Sequence, residues 1–307
     1  MQGAGCRSRA GLRIAAALGV GAIGCGGAAP ALAYTAAGDR LFPATLVLPQ
    51  IAPNDEVYLN DSTLPLTPAG PGSGKRYNTI DGVFTKTITD RLGIKFEQPY
   101  TKLDRVGMRP AYGFQNFEVE LKYMAINDID REFLLSFGLD REFATGAVRV
   151  GAAPQGQTSP RIYFGKGLGD LDIGYLRPLA VAGFGGYQIS DQKPRPNVAN
   201  AGMVVYYSIP YLQSKVQSLD LPDFMRNLTP MTEVVVNVPT GPTYGVRTTA
   251  MVAPGVSYAG EGWELGIEAL VPLSKATGRG VGVTAQLHFS LDFLFPDTIG
   301  KPLFSAP

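Results

Sequence analysis

The chain has 307 residues, 45% of them hydrophobic and 17% charged, with 38 glycines, 24 prolines and a mean hydropathy of +0.05. Its 27 basic residues are matched by 26 acidic ones, so it lacks the clustered basic excess of a nucleic-acid-binding protein. A single histidine leaves no His-based metal cluster, and the glycine and proline content argues against a helical chain.

The N-terminus reads as an export signal. Arg7, Arg9 and Arg13 make a basic start, Ile14 to Ile23 is a short apolar run, and Ala31-Leu32-Ala33 is a small-residue cleavage site before Tyr34. Residues 1–33 are therefore expected to be removed. Ala22-Ile23-Gly24-Cys25 lacks the leucine of a lipoprotein box, which makes lipidation the lesser reading. Cys6 and Cys25 both fall in this leader, so the mature chain has no thiol and no disulfide. Its removal takes away three arginines and no acid, leaving 24 basic residues against 26 acidic ones. No later stretch reaches the roughly 18 apolar residues that a spanning helix needs. A membrane protein of this sequence must cross with strands.

Alternation of apolar and polar residues marks those strands. In chain order, weak candidates at Ala44–Pro49 and Tyr77–Ile88 precede Leu92–Glu97, where Leu92, Ile94 and Phe96 alternate with Gly93, Lys95 and Glu97. Phe117, Val119, Leu121 and Tyr123 alternate with Glu118, Glu120 and Lys122. Phe133, Leu135, Phe137 and Leu139 alternate with Leu134, Ser136, Gly138 and Asp140. Arg161–Lys166 and Leu176–Gln188 are weaker. Met203 to Ile209, Val234 to Val238 and Thr248–Tyr258 follow, and then Trp263–Val271, with Glu264, Gly266, Glu268 and Leu270 on its second face. Val281 to Phe293 alternates over thirteen residues, with His288, Ser290 and Asp292 on the polar side. A tilted transmembrane strand needs roughly 9–11.

These segments predict an all-β fold: a transmembrane antiparallel β-barrel of about twelve strands after the signal peptide. The mature region is 34–307, with a barrel core over about 44–295 and a short tail over 296–307. With Ala44–Pro49 as the first strand, the outer connections are 51–76, 101–114, 144–157, 189–199, 240–247 and 272–280. The inner ones are 89–91, 126–131, 167–175, 210–230 and 259–262. Outer connections are mostly longer, as in bacterial outer-membrane barrels, and 210–230 breaks the rule with room for a short helix or a further strand. Aromatics at Tyr100, Tyr112, Phe114, Tyr187, Tyr258, Trp263, Phe293 and Phe295 lie near strand ends, where the interface favours them. A secreted β-sandwich or lipocalin-like barrel, with its charged faces in solvent, is the competing fold.

Gly113 to Tyr123, Phe164 to Asp170, Leu176-Arg177-Pro178, Pro254 to Tyr258, Trp263–Pro272 and the terminal strand resemble the outer-membrane proteins grouped as "MetA-pathway of phenol degradation". The likeness runs from about Tyr77 to Pro296. It implies a channel-like protein of the bacterial outer membrane linked to uptake or catabolism of aromatic or apolar compounds. It implies no cofactor and no substrate identity.

The charges on the second faces are the candidate site. Lys95, Glu97, Glu118, Glu120, Lys122, Glu264, Glu268 and His288 are expected to line a lumen and tune passage of a small-molecule solute. The expected surroundings are outer-membrane lipid, with insertion by the barrel-assembly machinery. Two alternatives stand beside the channel: a non-conducting structural or binding barrel, and a lipid-modifying enzyme using His288 and Ser290. Gly165 to Asp170 lacks the spacing of a phosphate loop and reads as a glycine-rich turn.

Overall fold

The computed structural model describes residues 35–304. The predicted leader, 1–33, and its cleavage site lie outside them. Twelve barrel strands follow in order: β1 (Glu56–Pro65), β2 (Gly74–Thr89), β3 (Leu92–Arg105), β4 (Phe117–Asp128), β5 (Phe133–Phe143), β6 (Gln157–Gly167), β7 (Leu179–Ser190), β8 (Asn197–Tyr207), β9 (Leu228–Thr240), β10 (Thr249–Ala259), β11 (Trp263–Pro272) and β12 (Gly282–Ser290). A short piece, Ala111–Phe114, also pairs with β3 and leads into β4 across Gln115 and Asn116. Every neighbour is antiparallel. β12 pairs with β1 from Ser290↔Glu56 to Val283↔Thr63, which closes the cylinder and leaves no sheet edge for lipid to meet.

The two faces separate as the alternation requires. Leu265 and Ile267 on β11 are 50% and 52% exposed on the outer wall, while Glu264 and Glu268, which flank them, are each 1% exposed and point inward. Phe84, Phe96, Phe117 and Phe143 stack across β2 to β5 with ring centroids 6.3–6.5 Å apart. A soluble sandwich would bury the first set and hydrate the second. This barrel does the reverse, as a lipid-facing wall must.

Four expectations are corrected. Ala44–Pro49 is no strand; it lies inside the barrel, where side chains bind its backbone. The true first strand, β1, falls in the region assigned to the outer connection 51–76. The terminal strand is nine residues, because from Leu291 the chain turns into a helical turn, Leu291–Leu294, with Phe295 N–H bonded to Leu291 O at 2.8 Å. Gly165, Lys166 and Gly167 belong to the end of β6, not to a turn.

Both ends of the described chain and the connections 90–91, 129–132, 168–178, 208–227 and 260–262 lie at one end of the cylinder, called here the near end. The far end carries 66–73, 106–116, 144–156, 191–196, 241–248 and 273–281. The length asymmetry fails at 168–178 and 208–227. Both fold into a base beneath the near mouth, the second through helical turns at Ile209–Tyr211, Leu212–Val216 and Asp223–Arg226.

Candidate functional site

The lumen is filled by the protein's own N-terminal segment. Residues 43–55 run through it, and Phe42, Ala44, Leu46, Leu48, Ile51 and Ala52 are buried there. Pro43, Pro49 and Pro53 remove backbone donors every few residues, so this stretch cannot complete a ladder. Four of its N–H groups are met by carboxylates of the wall. Glu233 on β9 accepts from Leu46 N at 2.7 Å, from Val47 N at 3.1 Å and from Leu48 N at 2.7 Å. Glu264 accepts from Ala44 N at 3.1 Å and from the Ser257 hydroxyl. In the other direction, Asn60 donates to Leu46 O at 2.8 Å, Gln286 to Thr45 O at 3.0 Å, and Lys122 to Gln50 O. Inward-facing polar side chains thus replace the missing neighbour strand.

The apolar side of the plug packs on an apolar sector of the wall. Phe42, Leu46, Leu48 and Ile51 form one cluster with Tyr163, Phe184, Val204, Tyr206 and Met231. Two inward glycines make the close approach possible. A Cβ at Gly266 would stand 2.6 Å from Leu46 Cδ1, and one at Gly202 would stand 3.0 Å from Leu48 Cδ2. Gly266→Leu should therefore unseat the plug while β11 keeps its ladder. Hydrogen exchange is expected to rise over residues 44–48 and to stay slow over 263–271; unchanged protection at 44–48 would refute this seating.

At the near end a hairpin, Thr35–Ala37 with Arg40–Phe42, anchors the plug. Arg40 is fully buried. Its guanidinium donates to Glu132 Oε2 at 3.0 Å, to Arg177 O at 2.5 Å and to Pro178 O at 3.2 Å, and lies 3.8 Å over the Tyr211 ring. Glu132 also accepts from Tyr211 Oη at 2.9 Å and Gly169 N at 3.1 Å. The Tyr211 phenol is pushed up to about 12, first by burial and then by this bond to a carboxylate. One arginine thereby ties the hairpin to the three near-end connections 129–132, 168–178 and 208–227.

Where the plug joins β1, Asp55 accepts from Lys86 Nζ at 2.5 Å and from Thr87 N at 2.8 Å. Lys86 also donates to Lys301 O at 2.8 Å, and Leu303 N to Thr87 O at 3.1 Å, so the C-terminal tail covers this joint.

Two cavities lie on the far side of the plug. A far-end vestibule of about 700 Å³ is lined by Leu66, Tyr77, Leu103 and Val150 among others. Asp81 and Glu118 line both it and a deeper lumen cavity of about 340 Å³, whose floor is Leu46 to Pro49. A small cavity of about 20 Å³ beside Gln50 and Pro53 has room for about one water.

All eight predicted residues face the interior, but they do different things there. Lys95 pairs with Glu97 at 2.5 Å, and Lys122 with Glu120 at 3.5 Å; Tyr163 also donates to Glu120. Glu264 holds the plug. Glu268 lies beside Glu233, the two carboxyl groups within hydrogen-bonding reach of each other. His288 Nε2 meets Glu56 Oε2 at 2.8 Å, whereas the Ser290 hydroxyl donates to Asp292, so no Ser–His pair forms. Sequence reasoning missed Glu233, Asp81 and the Arg161–Asp140 pair at 3.1 Å. Glu233 was visible only as the polar phase of the Val234–Val238 alternation.

No protein-family model matches the chain, and no curated protein does. Among solved structures, an outer-membrane channel from Pseudomonas putida F1 is 14% identical, with 81% of this chain and 99% of that one covered and a TM-score of 0.54. The KdgM porin is 11% identical over 76% and 98% of the two chains, with a TM-score of 0.46. LpxR from Salmonella typhimurium is 9% identical over 76% and 99%, with a TM-score of 0.43. The first of these likenesses shows the fold, that of an outer-membrane β-barrel.

Proposed function

We propose that the chain is an outer-membrane channel for small molecules, held shut by its N-terminal segment. One observation carries this reading. The obstruction is a single covalently continuous stretch, 43–55, which packs on one apolar sector of the wall and is hydrogen-bonded along its backbone by polar and charged side chains of the wall. Withdrawal of that stretch would join the vestibule and lumen cavity to the near mouth. The resemblance to the phenol-degradation group and the apolar vestibule residues support aromatic or apolar solutes as cargo. The apolar outer wall supports surrounding lipid, and barrel-assembly machinery would insert such a cylinder. A permanently seated plug would make the same barrel a structural or binding protein.

The charges bear on what passes. Lys95 and Arg161 are each engaged by a carboxylate, and Arg195 in the vestibule is paired with Glu142 at 2.7 Å. Asp81 and Glu118 have no ion-pair partner within 4 Å among the described residues. An unplugged channel in planar bilayers should therefore pass potassium in preference to chloride. Neutralising both residues (Asp81→Asn with Glu118→Gln) should bring the reversal potential in a salt gradient close to zero. Absence of any conductance from unplugged protein would sink the channel reading itself.

A further inference from the structure

The two ends of the barrel carry opposite charge. The far-end connections hold seven basic residues and one acid, Asp191, while the near-end connections hold five basic residues and eight acids. On the far rim the basic residues converge. A cleft of about 610 Å³ is lined by Lys75, Arg76, Arg105 and Arg279, from β2, β3 and the connection 273–281. Its one carboxylate, Asp104, is taken by Arg76 at 2.6 Å. No ion pair engages Lys75, Arg105 or Arg279 among the described residues; Arg105 reaches only a carbonyl, that of Arg149.

The same cleft is partly apolar. Leu66, Val106 and Met108 line it, and Met108 is 57% exposed. Its height on the wall is set by the β2–β3 register. Arg76↔Asp104, Asn78↔Lys102 and Ile80↔Tyr100 succeed one another on the outer face, and Ile80 and Tyr100 are exposed. The Arg76–Asp104 pair thus stands four residues, about 13 Å along the strand, beyond apolar side chains that face lipid, with Lys75 and Arg105 next to it in the chain on the alternate phase of the strands. Beyond an apolar band, polar headgroups replace hydrocarbon as the surroundings of a barrel wall.

We propose that this cleft binds the phosphate of a phosphorylated glycolipid in the leaflet at the far end, with Lys75, Arg105 and Arg279 on the anion and Met108 and Leu66 against the apolar part. Three uncompensated cations demand an anion, phosphate oxygens suit a guanidinium fork, and the apolar lining demands an amphiphile. The cleft adjoins the vestibule at Leu66, but binding there does not depend on whether the barrel conducts.

The test uses the full-length protein in nanodiscs, probed with a bisphosphorylated glycolipid, with the same glycolipid stripped of phosphate, and with inorganic phosphate alone. Retention of the phosphorylated lipid is expected, weakening as salt rises. Each cation removed should weaken it roughly fivefold, so that Lys75→Ala, Arg105→Ala and Arg279→Ala together cost about a hundredfold. Lys75→Arg should retain the lipid, and heat-modifiable migration on gels checks that each variant folds. Equal retention of the stripped lipid would mean a belt of acyl contacts and overturn the proposal. So would a triple variant, correctly folded, that binds as well as the parent. Inorganic phosphate competing at equal concentration would assign the cleft to a free anion instead.

Discussion

Glu233→Ala is expected to open the channel. Three plug N–H groups, on Leu46, Val47 and Leu48, lose their acceptor in that variant, and Leu46 and Leu48 are buried. Each buried donor left unmet costs roughly 1–3 kcal/mol, so even the lower figure for all three weakens seating by about 3 kcal/mol. The ratio of withdrawn to seated plug should rise by about two powers of ten. Glu233→Gln keeps one acceptor oxygen and should fall between parent and alanine. Planar-bilayer conductance reads the effect. A cysteine at Leu48, in a chain with Cys6 and Cys25 replaced, reports it independently through labelling by an impermeant thiol reagent. Parent-like labelling in the alanine variant would show that these bonds do not hold the segment.

Arg40→Ala should release the hairpin without touching the barrel. The arginine is buried beneath the near mouth, and its loss strands Glu132 among Tyr211, Gly169 and the base connections. Removing one partner of a buried ion pair typically costs on the order of 3–5 kcal/mol. Protease added at the near side should then cut within 35–52 at low dose while the barrel fragment from about 56 onward survives. Arg40→Lys should behave nearly as badly, because an ammonium cannot bond Glu132, Arg177 O and Pro178 O in one plane while lying over the Tyr211 ring. Rescue by lysine would reduce the anchor to simple charge.

What could be read from the sequence follows from which face each strand shows to lipid. On β11 the outward residues Trp263, Leu265, Ile267 and Ala269 are uniformly apolar, so the strand and its inward glutamates were legible together. On β1 the outward set includes Asp61 and Thr63, near the far rim, where Asp61 accepts from Asn78 at 2.6 Å. A strand that rises out of the apolar band loses its pattern, and β1 was read as a loop. Ala44–Pro49 failed in the opposite sense. Its extended, apolar-rich stretch resembles a weak strand, and nothing local shows that its hydrogen-bond partners are carboxylates 185 to 220 residues away. Leu291 and Phe293 continue an alternation by accident of composition across a helical turn. Arg40 and Glu132 carried no signal at all, since one lies in a short hairpin and the other in a tight turn.

The plug is joined to β1 with no intervening linker, and the Asp55–Lys86 joint pins that junction to the wall. Once withdrawn, it is therefore a leashed ligand that never leaves its receptor's neighbourhood. For short tethers the effective concentration is on the order of millimolar, whatever the number of barrels in the membrane. Resealing is then a property of one molecule, and any stimulus that keeps the pore open must outcompete that local supply for as long as it acts.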